Sequence, residues 1–195
     1  MTPTRLFDCI NNQLEKFPKE DMLAAKEEGG TWRKYSTSEV RGIVDKFSAG
    51  LVHLNIGPND MSIEGRDKIA VISGNRPEWI FLDLAVQQVG AVLTPIYPTI
   101  SVNELEYVLN DAAVKLVFVN DKSTYEKVQQ IRHKTPSVKA VFTFDYFQPS
   151  LHWKGILSKA TDADMDKVKL IRDSIQSEDL CTIIYTSGTT GTPKG

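Results

Sequence analysis

Hydrophobic positions change their spacing partway along this chain, and the change divides it. Phe7, Ile10, Leu14 and Phe17 recur at steps of three and four, which places them on one face of a short helix that Pro18 ends. Two short runs, at residues 22–25 and 32–35, flank Gly29-Gly30, a pair free to take positive φ, and so predict a hairpin. Ser36 and Glu39 then form a capping-box pattern that starts a second helix. Val40, Val44, Phe47, Leu51 and Leu54 carry that helix to Gly57-Pro58, where a glycine cap and a proline stop are both available.

Beyond residue 67 the pattern becomes short apolar runs alternating with helical segments, which is how a parallel sheet with crossover helices reads in one dimension. Strands are predicted at 69–73, 91–96, 116–119, 140–144 and 181–185, each apolar enough to be buried on both faces. Between them, 77–89 gathers Trp79, Leu82, Val86 and Val89 on one stripe. Leu105, Val108, Leu109 and Ala112 do the same behind a Ser101/Glu104 capping box, and 122–132 is a weaker third helix. Asn75 and Pro77 read as an N-cap and first-turn proline. Residues 151–177 have no settled pattern; the alternating Asp162, Asp164 and Asp166 lack the glycine and terminal glutamate of a calcium loop and are read as a solvated loop. The expected architecture is α/β, a mostly parallel sheet with helices on both faces over 67–195, preceded by a helix-hairpin-helix segment over 1–60.

Composition narrows function by exclusion. The 195 residues are 41% hydrophobic and 25% charged, with 23 basic and 25 acidic side chains and a formal charge of -2. That balance, with no basic stripe, argues against a nucleic-acid partner. No apolar run is long enough to span a membrane and the first residues lack a secretory layout, so a cytoplasmic location is the default expectation, with peripheral membrane contact left open. Cys9 and Cys181 have no second cysteine at metal or redox spacing and read as two reduced thiols. His53, His133 and His152 are isolated in sequence, and the three tryptophans read as packing residues.

Candidate chemistry lies where the apolar run ending at Tyr185 passes into Thr186-Ser187-Gly188-Thr189-Thr190-Gly191-Thr192-Pro193-Lys194-Gly195. A loop that carries phosphate oxygens needs amides that can converge, hydroxyl donors and a cation. Gly188 and Gly191 supply the first, Thr186, Ser187, Thr189 and Thr190 the second, and Lys194 the third. The loop also leaves a strand end, where open α/β sheets bind ligands. It is not an NTPase P-loop, because Pro193 precedes Lys194 and Gly195 follows it, and its glycines do not fall at dinucleotide-fingerprint spacing. As composition alone it could be a solvated turn; the order of its residues after an apolar run favours a binding loop.

The run from Tyr185 to Gly195 closely resembles the signature loop of the adenylate-forming superfamily, which includes acyl-CoA synthetases, luciferases and peptide-synthetase adenylation domains. Upstream, Asn75-Arg76-Pro77-Glu78-Trp79, Pro95-Ile96-Tyr97-Pro98-Thr99 and Glu104-Leu105-Glu106-Tyr107 look like blocks of the same enzymes, and most like long-chain fatty acyl-CoA ligases. Tyr97-Pro98-Thr99 is explained equally well as a rigid turn and stays outside the predicted site.

The resemblance implies an AMP-forming acid-thiol ligase acting on fatty acid, ATP and coenzyme A, with Mg2+ accompanying the ATP. It implies further that this chain is the N-terminal part of the AMP-binding domain, cut at the phosphate-binding loop. The family's adenine segment, magnesium and ribose carboxylates, hinge and C-terminal lysine have no counterpart here. No catalytic residue is therefore mapped, and the chain alone is expected to be inactive. Other adenylate-forming ligases acting on short or aryl acids, a nucleotide-binding module without acyl transfer, and a non-catalytic folding unit are the competing readings.

Overall fold

A computed structural model describes residues 3–27, 29–186 and 192–195. Helix α1 (Asp8–Lys16) is followed by strands β1 (Leu23–Lys26) and β2 (Trp32–Tyr35), paired antiparallel, and by α2 (Thr37–His53). The sheet region then runs β3 (Lys68–Ile72), α3 (Pro77–Gln88), β4 (Val92–Ile96), α4 (Val102–Asp111), β5 (Leu116–Val119), α5 (Lys122–Ile131), β6 (Ala140–Thr143) and β7 (Leu151–His152). Helices α6 (Lys154–Leu157) and α7 (Asp162–Ser174) complete the elements.

The five strands β3 to β7 lie in the order β4-β3-β5-β6-β7, with every pairing parallel. Alternate residues of each strand serve opposite faces. Ile69, Val71, Leu93, Phe118 and Phe142 pack with α2, α3, α6 and α7, while Ala70, Ile72, Ile96, Val117 and Val141 pack with α4 and α5. On the first face Phe118 stacks on Phe142 at 5.2 Å and meets Phe47 edge-on at 5.6 Å. Each fully buried ring of this kind stabilises the fold by about 1.5–3 kcal/mol. The chain leaves β3 through α3 toward one sheet edge and β5 through α5 toward the other, which opens ground for a ligand beyond the carboxyl ends.

Four local expectations are corrected. The acidic stretch read as a solvated loop is the start of α7: Thr161 Oγ1 accepts from the Asp164 amide at 3.2 Å, and the Asp164 carboxylate accepts from the Thr161 amide and hydroxyl at 3.2 and 2.7 Å. Aspartate here does the reciprocal job usually given to glutamate or glutamine. Buried Val168 with partly buried Met165 and Ile171 gives the helix its inner face.

The second correction concerns the end of α2, which closes before Gly57. Asn55 takes positive φ (57°), the Asn55 and Ile56 amides donate to Val52 and Leu51 at 2.9 and 3.0 Å, and Ile56 is buried, which together form a Schellman cap. Third, the N-cap position of α3 is Arg76, not Asn75, with Pro77 in the first turn. Fourth, residues 181–185 are not a strand buried on both faces. They run extended along the outer edge of β4 and bridge to it at one position, Leu93 with Thr182. Ile184 is 57% exposed, because no element among the described residues packs over that edge.

Candidate functional site

The candidate loop is suspended from β4. Leu93 donates its amide to Cys181 O at 3.1 Å and accepts at its carbonyl from the Ile183 amide at 2.9 Å and the Thr182 hydroxyl at 3.0 Å. This parallel contact delivers the chain to the carboxyl end of the sheet. There Thr186 and Lys194 exchange two backbone hydrogen bonds of 3.0 Å as an antiparallel pair. Pro193 is buried in the returning limb. Gly195 lies so close to the outgoing limb that a Cβ there would stand 2.8 Å from Tyr185 Cζ and from Ile183 Cγ2, so only glycine fits without displacement.

Of the residues singled out in the sequence, Thr186 and Lys194 are thus brought together, and both side chains are exposed. Ser187, Gly188, Thr189, Thr190 and Gly191 lie outside the described residues. Pairing has a chemical consequence: the Thr186 and Lys194 amides are already committed to each other, so what these two residues can offer a ligand is a hydroxyl and an ammonium group.

A cleft of about 440 Å³ adjoins the loop and is lined by Pro95, Tyr97, Thr99 and Glu104 together with Tyr185, Thr186 and Pro193. Tyr97 and Thr99 belong to the segment that the sequence reading set aside as a turn. It is a turn: Ile100 donates its amide to Tyr97 O at 3.0 Å, and Lys127 Nζ donates to the carbonyls of Pro98 and Ile100 at 2.9 and 3.0 Å. That rigid turn nonetheless presents Tyr97, 77% exposed, beside the loop. The position of 97–99 after a strand end was the available signal. Glu104 completes the capping box with Ser101, whose side-chain hydrogen bond holds the carboxyl below its ordinary range.

Behind the loop, the Tyr185 hydroxyl donates to Asp111 Oδ2 at 2.5 Å and the Tyr107 hydroxyl to Asp111 Oδ1 at 3.3 Å. Burial first, and the Asp111 carboxylate second, push the Tyr185 phenol well above its usual range. Arg76, the cation of the Asn75–Glu78 block, is spoken for. It donates to Glu78 at 2.8 Å and to Asp145 at 3.0 Å and lies over the Phe144 ring at 5.2 Å. Burial works against its charge, but the two carboxylates outweigh it and raise the pKa. Lys194 is the cation at the loop itself.

Comparison with known proteins adds family evidence to this geometry. A family model described as "AMP-binding enzyme" matches residues 10–195. The long-chain-fatty-acid–CoA ligase FadD15 of Mycobacterium bovis is 30% identical over 170 residues, covering 85% of this chain and 26% of that protein. The bovine (Bos taurus) long-chain-fatty-acid–CoA ligase ACSBG1 is 25% identical over 199 residues, covering all of this chain and 26% of its own. Among solved structures, a long-chain-fatty-acid-CoA ligase (FadD1) from Archaeoglobus fulgidus superposes with TM-score 0.72 at 24% identity, covering 100% of this chain and 37% of that one. The anthranilate CoA ligase AuaEII, solved with anthranoyl-AMP, gives TM-score 0.76 at 18% identity, covering 100% and 34%. The chain spans about a quarter of the length of the curated relatives it matches.

Proposed function

This chain belongs to the AMP-binding enzyme family, and we propose that it is the N-terminal part of an ATP-dependent long-chain fatty acid–CoA ligase, with residues 186–194 as its phosphate-binding loop. The observation that carries the reading is the mutual pairing of Thr186 and Lys194, which bracket a sequence rich in serine, threonine and glycine at the carboxyl end of a parallel sheet. The sequence relatives supply the substrate class, since FadD15 and ACSBG1, each matched over most of this chain, are named for long-chain fatty acids. Fold likeness alone does not separate aliphatic from aryl acids, because an anthranilate CoA ligase superposes as well as a fatty-acid enzyme.

In this reading a fatty carboxylate oxygen attacks the α-phosphorus of ATP, the bond to the β-phosphate oxygen breaks, and pyrophosphate leaves with its electron pair. The coenzyme A thiol then loses its proton and attacks the acyl carbon, releasing AMP. Positioning and charge stabilisation do most of the work in such transfers. The hydroxyls of Thr186, Ser187, Thr189 and Thr190 would grip the β- and γ-phosphates, Gly188 and Gly191 would let intervening amides turn inward, and Lys194 would offset charge on the leaving pyrophosphate. Tyr97 and Thr99 border the same cleft and would meet what the loop holds. Among the described residues no group of three or more His, Cys, Asp or Glu side chains is placed to hold a metal ion. Nor is any helix among them long and apolar enough to cross a membrane.

Because its relatives are roughly four times as long, the 195-residue protein on its own is expected to form no acyl-adenylate. The reading is tested by carboxylate-dependent exchange of pyrophosphate into ATP, using a ligase polypeptide that includes this chain and a panel of fatty and aryl acids. Exchange should depend on long-chain fatty acid and fall in Lys194→Ala and Thr189→Ala. Exchange supported only by aryl acids would transfer the assignment to another branch; ATP binding without exchange for any acid would overturn the ligase reading.

A further inference from the structure

The neck of the loop is held by more than its own pairing. The extended segment that feeds it bonds to β4 through Leu93, near residue 182. Beyond that, Ile184 faces outward, and among the described residues neither Ile184 nor Tyr185 makes a backbone bond to a neighbouring strand. What fixes the chain immediately before Thr186 is a side chain. The Tyr185 hydroxyl reaches Asp111, the last residue of α4, with a short hydrogen bond to a carboxylate, a class stronger than a neutral one.

Each end of this tether is rigid. Helix α4 is capped at its start by the reciprocal Ser101–Glu104 box. It is closed at its end by a Schellman cap, in which Val114 and Ala113 donate to Leu109 and Asn110 at 3.0 Å. Leu105, Val108 and Leu109 seat it fully buried on the sheet. At the other end, the Tyr185 ring lies against Gly195. The ring therefore touches the limb leaving the loop and, being joined to Thr186, belongs to the limb entering it.

We infer that Asp111, acting through the Tyr185 hydroxyl, is a positioning residue for the loop, fixing the neck from which residues 186–194 spring. The functional consequence rests on the phosphate-loop reading above; the anchoring stands on the geometry alone. Both burial and the neighbouring carboxylate keep the phenol protonated, so the donor persists across the working range of pH.

Amide hydrogen exchange in the 195-residue protein tests the anchoring. In Tyr185→Phe and in Asp111→Ala, the Thr186 and Lys194 amides should exchange about tenfold faster than in the parent, and no faster still in the double variant, because the Tyr185–Asp111 hydrogen bond is lost in all three. Ala70 and Val71 amides in β3 should be unchanged, which separates a loosened neck from a destabilised fold. Unchanged rates at Thr186 and Lys194 in either single variant, or additive effects in the double, would overturn the inference. A parallel titration with inorganic tripolyphosphate should show both variants binding at least about fivefold more weakly than the parent. If the parent binds no tripolyphosphate while the variants still exchange faster, the anchoring stands and the phosphate reading falls. If binding is retained and exchange is unchanged, the reverse holds.

Discussion

His53 Nδ1 in α2 lies 3.1 Å from Asp164 Oδ2 in α7, so that one carboxylate both starts the seventh helix and ties it to the second. The Thr161 hydroxyl first, with His53 and the Thr161 amide behind it, holds Asp164 below the ordinary carboxylate range against the opposing effect of burial. A carboxylate with a depressed folded-state pKa contributes stability above its unfolded value, and that contribution is lost as pH falls through the folded one. The gap in urea midpoint between the parent and Asp164→Asn should therefore hold steady above about pH 5 and close below about pH 4. A gap that stays constant down to about pH 3 would show that the carboxylate's charge contributes nothing.

Gly50 marks where α2 crosses α6. A Cβ at this position would stand 2.3 Å from the Ile156 carbonyl oxygen, a backbone atom that cannot swing aside. Gly50→Ala should cost about 1–3 kcal/mol despite alanine's better helix propensity. Denaturant titration measures it, and a stabilised variant would mean that the two helices can part without penalty.

Ala113 presents the opposite case. It sits at φ 49° in the cap that ends α4, a conformation that costs an L-residue roughly 1–2 kcal/mol. Ala113→Gly should raise stability by about 0.5–1 kcal/mol, the relief being partly offset by glycine's greater freedom in the unfolded chain. Urea unfolding of the two proteins checks the sign.

Because the Thr186 amide is spent on Lys194, only its hydroxyl remains to serve a phosphate. Thr186→Val keeps the shape and the backbone pairing and should weaken tripolyphosphate binding about tenfold, the worth of one hydrogen bond to a charged group. Equal affinities in a calorimetric titration would remove Thr186 from the site.

Elements defined by local chemistry were legible in the sequence. The Ser101/Glu104 box starts α4 as its spacing predicts, and the apolar runs of β3 to β6 fall where expected because a strand buried on both faces has few alternatives. Less legible were features set by what lies across space. The run 181–185 is as apolar as a central strand, yet it lies on an edge, and composition does not report which neighbours a strand receives. The start of α7 was hidden because aspartate took a position where glutamate or glutamine is usually sought, and because His53, distant in sequence, is one of its partners. At the candidate loop, Thr186 and Lys194 were singled out from residue type and order. Tyr97 and Thr99, which line the adjoining cleft, were set aside because a turn and a cleft wall can be built from the same residues, and Glu104 was read as a helix cap. Tyr185 and Asp111, 74 positions apart, carry no sequence pattern that pairs them.

The attachment of the loop to β4 through Leu93 gives its aim a discrete character. Side chains on extended backbone alternate with a period of two, so a slip of one residue in the pairing of Leu93 with Thr182 would turn Tyr185 away from Asp111 and present the Thr186 side chain to the opposite face. No intermediate setting exists. The loop is therefore either in register or turned over, and its orientation is inherited from sheet pairing as a two-valued choice and is not adjusted by degrees.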